Sequence, residues 1–262
     1  MATTTGKYFD FLNGVAALSG EVANALQNFI AARSAIRDYV ISADQKHYKE
    51  VEELTELAVE IISDAKSMVD DPGSLDLLHQ FIESILEWRT IAGRVRDGFA
   101  NYQEIVKNKV LTNFSSLAQS GNVLLQTNAS ITTGVVLDVQ LANVAVVTYL
   151  LNGEDRFVND AKRAITAAKT KLDQITKDNE QMSAALQPFA LALDAYSSGF
   201  REAVASRKNA YNLFNERLAP LGDEVQASIE ELHDHLLETR EGINDMKNLN
   251  QNRKKKNGDQ IH

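Results

Sequence analysis

The 262-residue chain contains no cysteine, three prolines and a single tryptophan. Without cysteine it has no disulfide framework, no thiolate-ligated zinc or iron–sulfur centre and no thiol nucleophile. Three prolines in a chain of this length is well under the usual ~5%. They fall at Pro72, Pro188 and Pro220, so long stretches are free of helix breakers. Positive charge is also in deficit, with 27 Lys and Arg against 36 Asp and Glu. A net charge of −9 argues against general nucleic-acid binding, which needs clustered cations to displace counterions from phosphate. No uninterrupted membrane span is legible either. The most apolar stretch, Val135 to Leu151, is broken by Asp138, Gln140 and Asn143. The N-terminus lacks the basic and apolar regions of a signal peptide. At 44% hydrophobic, the chain has enough apolar surface to fold.

What is present is helical patterning. In 45–69 the residues Tyr48, Val51, Leu54, Ala58, Ile62, Ala65 and Val69 recur at spacings of three and four, as one face of a helix requires. Asp71-Pro72-Gly73-Ser74 is a stop-and-restart signal in which Ser74 can cap the next helix. Asn152-Gly153-Glu154-Asp155 is a second sharp turn, and softer breaks fit at Ile41–Asp44, near Ser120-Gly121 and near Asp178-Asn179. No run alternates with period two, so no strand is expected. The expectation is an all-α protein of six helices, at 7–42, 45–69, 74–119, 123–151, 155–178 and 182–250. Helices 3 and 6 are much longer than the rest. Two stacked four-helix bundles sharing these two long helices satisfy the lengths. In that arrangement one elongated domain has a lower bundle, about 7–97 plus 207–250, and an upper bundle, about 98–206.

An internal repeat fits the same scheme. Tyr39–Asp44 aligns with Tyr149–Glu154 at an offset of 110. Gly98-Phe99 aligns with Gly199-Phe200, and Leu117-Ala118 plus Gly121 with Leu218-Ala219 plus Gly222, at an offset of 101. Two amphipathic hairpins that look alike by chance are the bland alternative.

The segment Asn24–Ile41, with Arg33 six residues before Tyr39 and a polar turn following, resembles the first helix of the helical bimodular sensor domain of bacterial chemoreceptors. Leu141–Leu151 followed by Asn-Gly-Glu-Asp is similar to the matching helix of that family's distal module. The resemblance covers about 20–235, by pattern and topology more than by identity. It implies an extracytoplasmic chemotaxis sensor that binds a small organic acid, signals without being an enzyme, uses no cofactor and forms a homodimer. It also implies that membrane contact runs only through anchors absent from this chain. Were the chain complete as written, a cytoplasmic location would follow instead.

Arg33 and Arg37 lie one helical turn apart and need an anion or carboxylates to offset their repulsion. Arginine's planar fork suits a carboxylate. In the resembling family, first-helix arginines of the membrane-proximal module bind the ligand. Arg33 matches by its distance to Tyr39, and Arg37 matches no family position cleanly. Counting turns from Ser42 places Trp88, Arg89 and Tyr211 at the same level, so the expected ligand site is Arg33, Arg37, Trp88, Arg89 and Tyr211. A solvated surface pair, or ion pairs to a neighbouring helix, is the competing reading of the arginines; core packing is that of the aromatics. At an offset of 110, Arg33 maps to Asn143 and Arg37 to Val147. A distal site would therefore rest on uncharged Asn143, Thr148, Tyr149 and Tyr196. His233 and His235 point to different helix faces, so no metal site is expected, and no catalytic constellation is present. The rival to a sensor is a structural or scaffolding bundle that binds a protein partner or a membrane surface. A third class, a helical pore-forming protein, would expose Val135–Leu151.

Overall fold

The computed structural model describes the backbone of residues 4–69, 72–177 and 180–258, and the side chains of 14–69, 72–126, 132–177 and 180–238. Among the described residues the chain is all-α, with no strand. The elements are α1 (Thr4–Ser42), α2 (Gln45–Ala65), a 3₁₀ turn (Lys66–Met68), α3 (Pro72–Ile105), a π-helical segment (Val106–Leu111), α4 (Thr112–Asn152), α5 (Asp155–Thr176), α6 (Glu180–Leu213), a second π-helical segment (Phe214–Leu218) and α7 (Ala219–Gly258).

Local chemistry explains the boundaries. Asp44 caps α2, its carboxylate accepting the Lys46 N–H at 2.9 Å. The α4–α5 turn is closed by Gly153 in the left-handed region at φ 73°, its N–H donating to the Tyr149 carbonyl at 2.7 Å. α3 begins at Pro72, where a missing N–H costs nothing. Ser74 therefore lies inside the first turn and is not the cap expected from sequence. The break expected near Asp178-Asn179 lies outside the described residues. The break expected at Ser120-Gly121 is displaced. A Cβ on Gly121 would lie 3.9 Å from the Val136 side chain, and the Thr132 hydroxyl lies 3.5 Å from the Leu124 carbonyl. Residues 15 apart in a straight helix are separated by about 22 Å. The chain therefore doubles back between Leu124 and Thr132. Gly121 is there for packing, since its bare Cα faces the Phe189 ring at 3.5 Å from the would-be Cβ. Pro220, where a kink is expected, is the second residue after the second π-helical segment. Proline has no N–H for the carbonyl one turn back, and the wider π turn is one way to accommodate that loss.

The chain divides into two compact units, residues 1–96 with 211–262 and residues 97–210, the division falling within α3 and α6. In the first unit, α1 packs on α2 and α7. Its core includes Phe29, Tyr39, Trp88, Ile62 and Leu218, all essentially without solvent contact. The second unit has its own core around Tyr149, Phe189, Leu193, Tyr196 and Phe200.

The cores repeat the sequence offsets. Buried Val22, Ala25, Phe29, Ala32, Ala35, Ile36 and Tyr39 correspond at an offset of 110 to buried Thr132, Val135, Val139, Ala142, Ala145, Val146 and Tyr149. Tyr48, Val51, Thr55, Ala58 and Ile62 correspond in the same way to Val158, Ala161, Ile165, Ala168 and Leu172. At 101, buried Ile85, Trp88, Ala92, Val95 and Phe99 correspond to Leu186, Phe189, Leu193, Tyr196 and Phe200. The register is shared at most positions and broken at a few, since Arg33 and Val40 are buried where Asn143 and Leu150 are half-buried. Within the second unit the correspondence is also reciprocal. Gly98 lies against Ala210 and Gly199 against Lys109, at 3.0 and 2.9 Å from the would-be Cβ atoms, and each pair maps onto the other at the offset of 101.

The repeat extends to backbone conformation. Ala43 occupies the place of Gly153 and is left-handed too, at φ 53°. Its N–H donates to Tyr39 as that of Gly153 does to Tyr149. An alanine in this region carries about 1–2 kcal/mol of strain. The Ala43→Gly variant should therefore be more stable, by about 0.5–1 kcal/mol after the greater unfolded-state entropy of glycine is subtracted. Urea unfolding followed by circular dichroism checks this.

Candidate functional site

Ile30, Arg33, Ser34 and Arg37 share one face of α1 and line an open cleft of about 400 Å³ with Asp223 and Gln226 of α7. Arg33 is almost fully buried, with 9% of its surface exposed. Its two terminal nitrogens donate to Asp223 Oδ1 and Gln226 Oε1, which lie one turn apart on α7. The Gln226 amide donates in turn to Glu230 at 2.8 Å. Asp223 itself is 72% exposed. Arg37 is exposed at the rim and has no hydrogen-bond or ion-pair partner among the described residues.

Beneath Arg33 lies Trp88. Its ring meets Phe29 edge-on at 5.1 Å between centroids, and its indole N–H donates to the Leu218 carbonyl at 3.2 Å. That carbonyl belongs to the π-helical segment. Gly222 makes the approach possible, because a Cβ there would stand 2.8 Å from Arg33 Nε and 2.9 Å from Trp88 Nε1. A void of about 10 Å³, room for roughly one water, is lined by Arg33, Arg37, Trp88 and Leu218.

Of the five residues expected to form the site, the structure brings together Arg33, Arg37 and Trp88. Arg89 is half-buried and Tyr211 is partly exposed, and neither lines the cleft or the void. The reason for Arg89 is helical phase. Trp88 points into the core, and the next residue is turned by about 100°. Counting turns also missed Asp223, Gln226 and Gly222. The signal for Gly222 was present in the repeated Leu-Ala-x-x-Gly element. In the second unit its counterpart Gly121 lies under Phe189, the counterpart of Trp88. Asp223 and Gln226 carried no such mark in an acidic chain.

In the second unit, Asn143 and Tyr196 meet. The Tyr196 hydroxyl donates to Asn143 Oδ1 at 3.1 Å, and its ring lies 5.7 Å from that of Phe114. Thr148 bonds back to its own helix, at the Val144 carbonyl. Tyr149 is buried beneath Arg207, whose guanidinium lies 5.3 Å from the ring centroid and donates to the Tyr149 carbonyl at 3.0 Å. A cation at that position also answers the negative end of α4. The four residues are thus divided between a partly buried hydrogen bond, a helix-end clamp and a surface hydroxyl. Burial raises the Tyr196 phenol above its ordinary range near 10. An unfolded chain ionises this tyrosine from about pH 10 while the folded chain does not. Stability should therefore fall as pH rises above 10, and Tyr196→Phe should remove that part of the fall. Denaturant unfolding at pH 9 and pH 11 checks the sign.

The first unit has a second, larger cleft of about 870 Å³ between α3 and α7, floored by Phe81 and Leu232 and edged by Glu231, Asp234 and Glu238. Its carboxylates repel the anion that the arginine cleft attracts, so volume alone does not pick the site. Among the described residues, no group of three or more His, Asp or Glu side chains could hold a metal ion.

The fold and cleft thus define a class, an all-α protein of two compact helical units with an arginine-lined interhelical groove in the first. No protein-family model matches the chain, and no curated protein matches it.

Proposed function

We propose that the chain is an extracytoplasmic sensing domain of a chemotaxis or related signal-transduction receptor, similar to the helical bimodular type. In this reading its two units are four-helix bundles, stacked and sharing the long helical runs, and the protein works as a homodimer. A small carboxylate binds in the α1–α7 cleft of the first unit. The supporting observation is the pairing of a buried Arg33 with an exposed Arg37 on one face of α1, in a chain whose net charge is −9.

The geometry suggests how binding becomes signal. Arg33 ties α1 to α7 through Asp223 and Gln226. A ligand carboxylate placed between Arg33 and Arg37 competes with Asp223 for the Arg33 fork. Asp223 is mostly exposed, so releasing it to water costs little. Exchange of counter-ion then loosens the α1–α7 tie, and α7 is free to slide. Displacements of about 1–2 Å are usual for packed helices.

The rival, a scaffolding bundle with no small ligand, draws support from the same ion pair, since Arg33 is already satisfied within the fold. A thermal-shift screen of C2–C4 organic acids, amino acids and amines separates the two. Stabilisation by carboxylates and not by amines supports the sensor. No stabilisation by any compound, or equal stabilisation of Arg33→Ala, removes the site.

A further inference from the structure

The outward face of α4 presents Leu137, Leu141, Val144, Val147 and Leu151, each between 40% and 77% exposed. The inward face of the same stretch, with Val135, Val139, Ala142, Val146 and Tyr149, is spent on the core of the second unit. The repeat supplies an internal control. At an offset of 110 the matching positions of α1 are Gln27, Ala31, Ser34, Arg37 and Ile41. Four of the five are polar or small, so the fold does not require an apolar residue at these places.

We infer that this stripe is the surface on which a second copy of the chain docks, about a two-fold axis passing beside Val144. Three observations select a second copy. Leu137, Val144 and Leu151 follow a seven-residue repeat, with Leu141 and Val147 between them. That is a narrow seam which matches another helix. The spacing is symmetric about Val144, with Leu141 and Val147 three residues away on either side and Leu137 and Leu151 seven away. A two-fold interface must be self-complementary, and this stripe is. Charge is the third. Residues 132–152 carry one ionisable group of formal charge, Asp138, which is buried and paired with Lys171 at 2.6 Å. Two copies of a chain with net charge −9 repel each other, and this face is where they meet with least cost.

A bilayer is the other class of occupant, because Thr132–Asn152 is long and apolar enough to cross one. Insertion would have to strip its inward face from the core, whereas pairing leaves that packing intact. The inference rests on the stripe alone: a two-fold axis across α4 sets the two copies of that helix antiparallel, which is the pairing expected of the isolated chain and not the same-direction homodimer of an anchored receptor. It survives if no carboxylate binds the α1–α7 cleft.

Light scattering on the whole chain at high micromolar concentration tests it. The expected mass is that of two chains, falling to one in Val144→Asp with helicity unchanged. As the natural sequence has no cysteine, Val144→Cys should crosslink to itself on mild oxidation, while Ser34→Cys at the matching place on α1 should not. A single-chain mass for the natural sequence overturns the inference. So does a dimer that survives Val144→Asp, or a monomer that binds phosphatidylcholine vesicles through this helix.

Discussion

Replacing Trp88 with alanine is expected to destabilise the first unit by about 3–5 kcal/mol, the usual cost of emptying a buried aromatic site. The unfolding midpoint should fall by roughly 10 °C. Three features place this residue at the upper end of that range. Its ring fills the space between Phe29 of α1 and the bare Cα of Gly222 on α7. Its indole N–H is the partner of the Leu218 carbonyl in the π-helical segment, and alanine leaves that carbonyl without its donor. It also packs against Arg33, whose fork joins α1 to α7. Trp88→Phe should recover most of the packing and lose the hydrogen bond, so its cost should be nearer 1 kcal/mol. Thermal and urea unfolding of both variants, read by circular dichroism, checks the order.

The second large effect concerns binding. Arg37→Ala should leave stability within about 0.5 kcal/mol of the natural chain, as expected for an exposed side chain. It should weaken carboxylate binding by about 10- to 100-fold. A charge-assisted hydrogen bond is worth about 1.5–3 kcal/mol, and 1.4 kcal/mol is a factor of ten in affinity. Arg33→Met, which keeps the apolar stem, should abolish binding and also weaken the α1–α7 tie, costing about 1 kcal/mol given the exposure of Asp223. The two arginines therefore separate. One reports ligand alone, and the other reports ligand together with the latch.

The helices were legible because their apolar positions recur without interruption and prolines are scarce. The turns at Ala43 and Gly153 were legible from their polar residues and from the repeat. Gly121 misled because sequence does not tell a glycine needed as a breaker from one needed under an aromatic ring. The same ambiguity hid Gly222, the residue that lets Trp88 and Arg33 approach α7. The arginine pair could be found because two neighbouring cations are conspicuous in an acidic chain. Asp223 and Gln226 could not, because their role depends on the rotational phase of α7 against α1, which no local pattern sets. Arg89 shows the limit of counting turns. Height along a bundle was within reach, but facing direction was one residue out.

Trp88 is the chain's only tryptophan and shares with Arg33 and Arg37 the small void beside the cleft, so its fluorescence is a probe of that site. The decisive measurement is a fluorescence titration of the natural chain and of Arg37→Ala with C2–C4 carboxylates, with matched amines as controls. The sensor account predicts a saturable change with a carboxylate, weakened about 10- to 100-fold in Arg37→Ala and absent with amines. A flat response to every carboxylate, or an unchanged affinity in the variant, contradicts it.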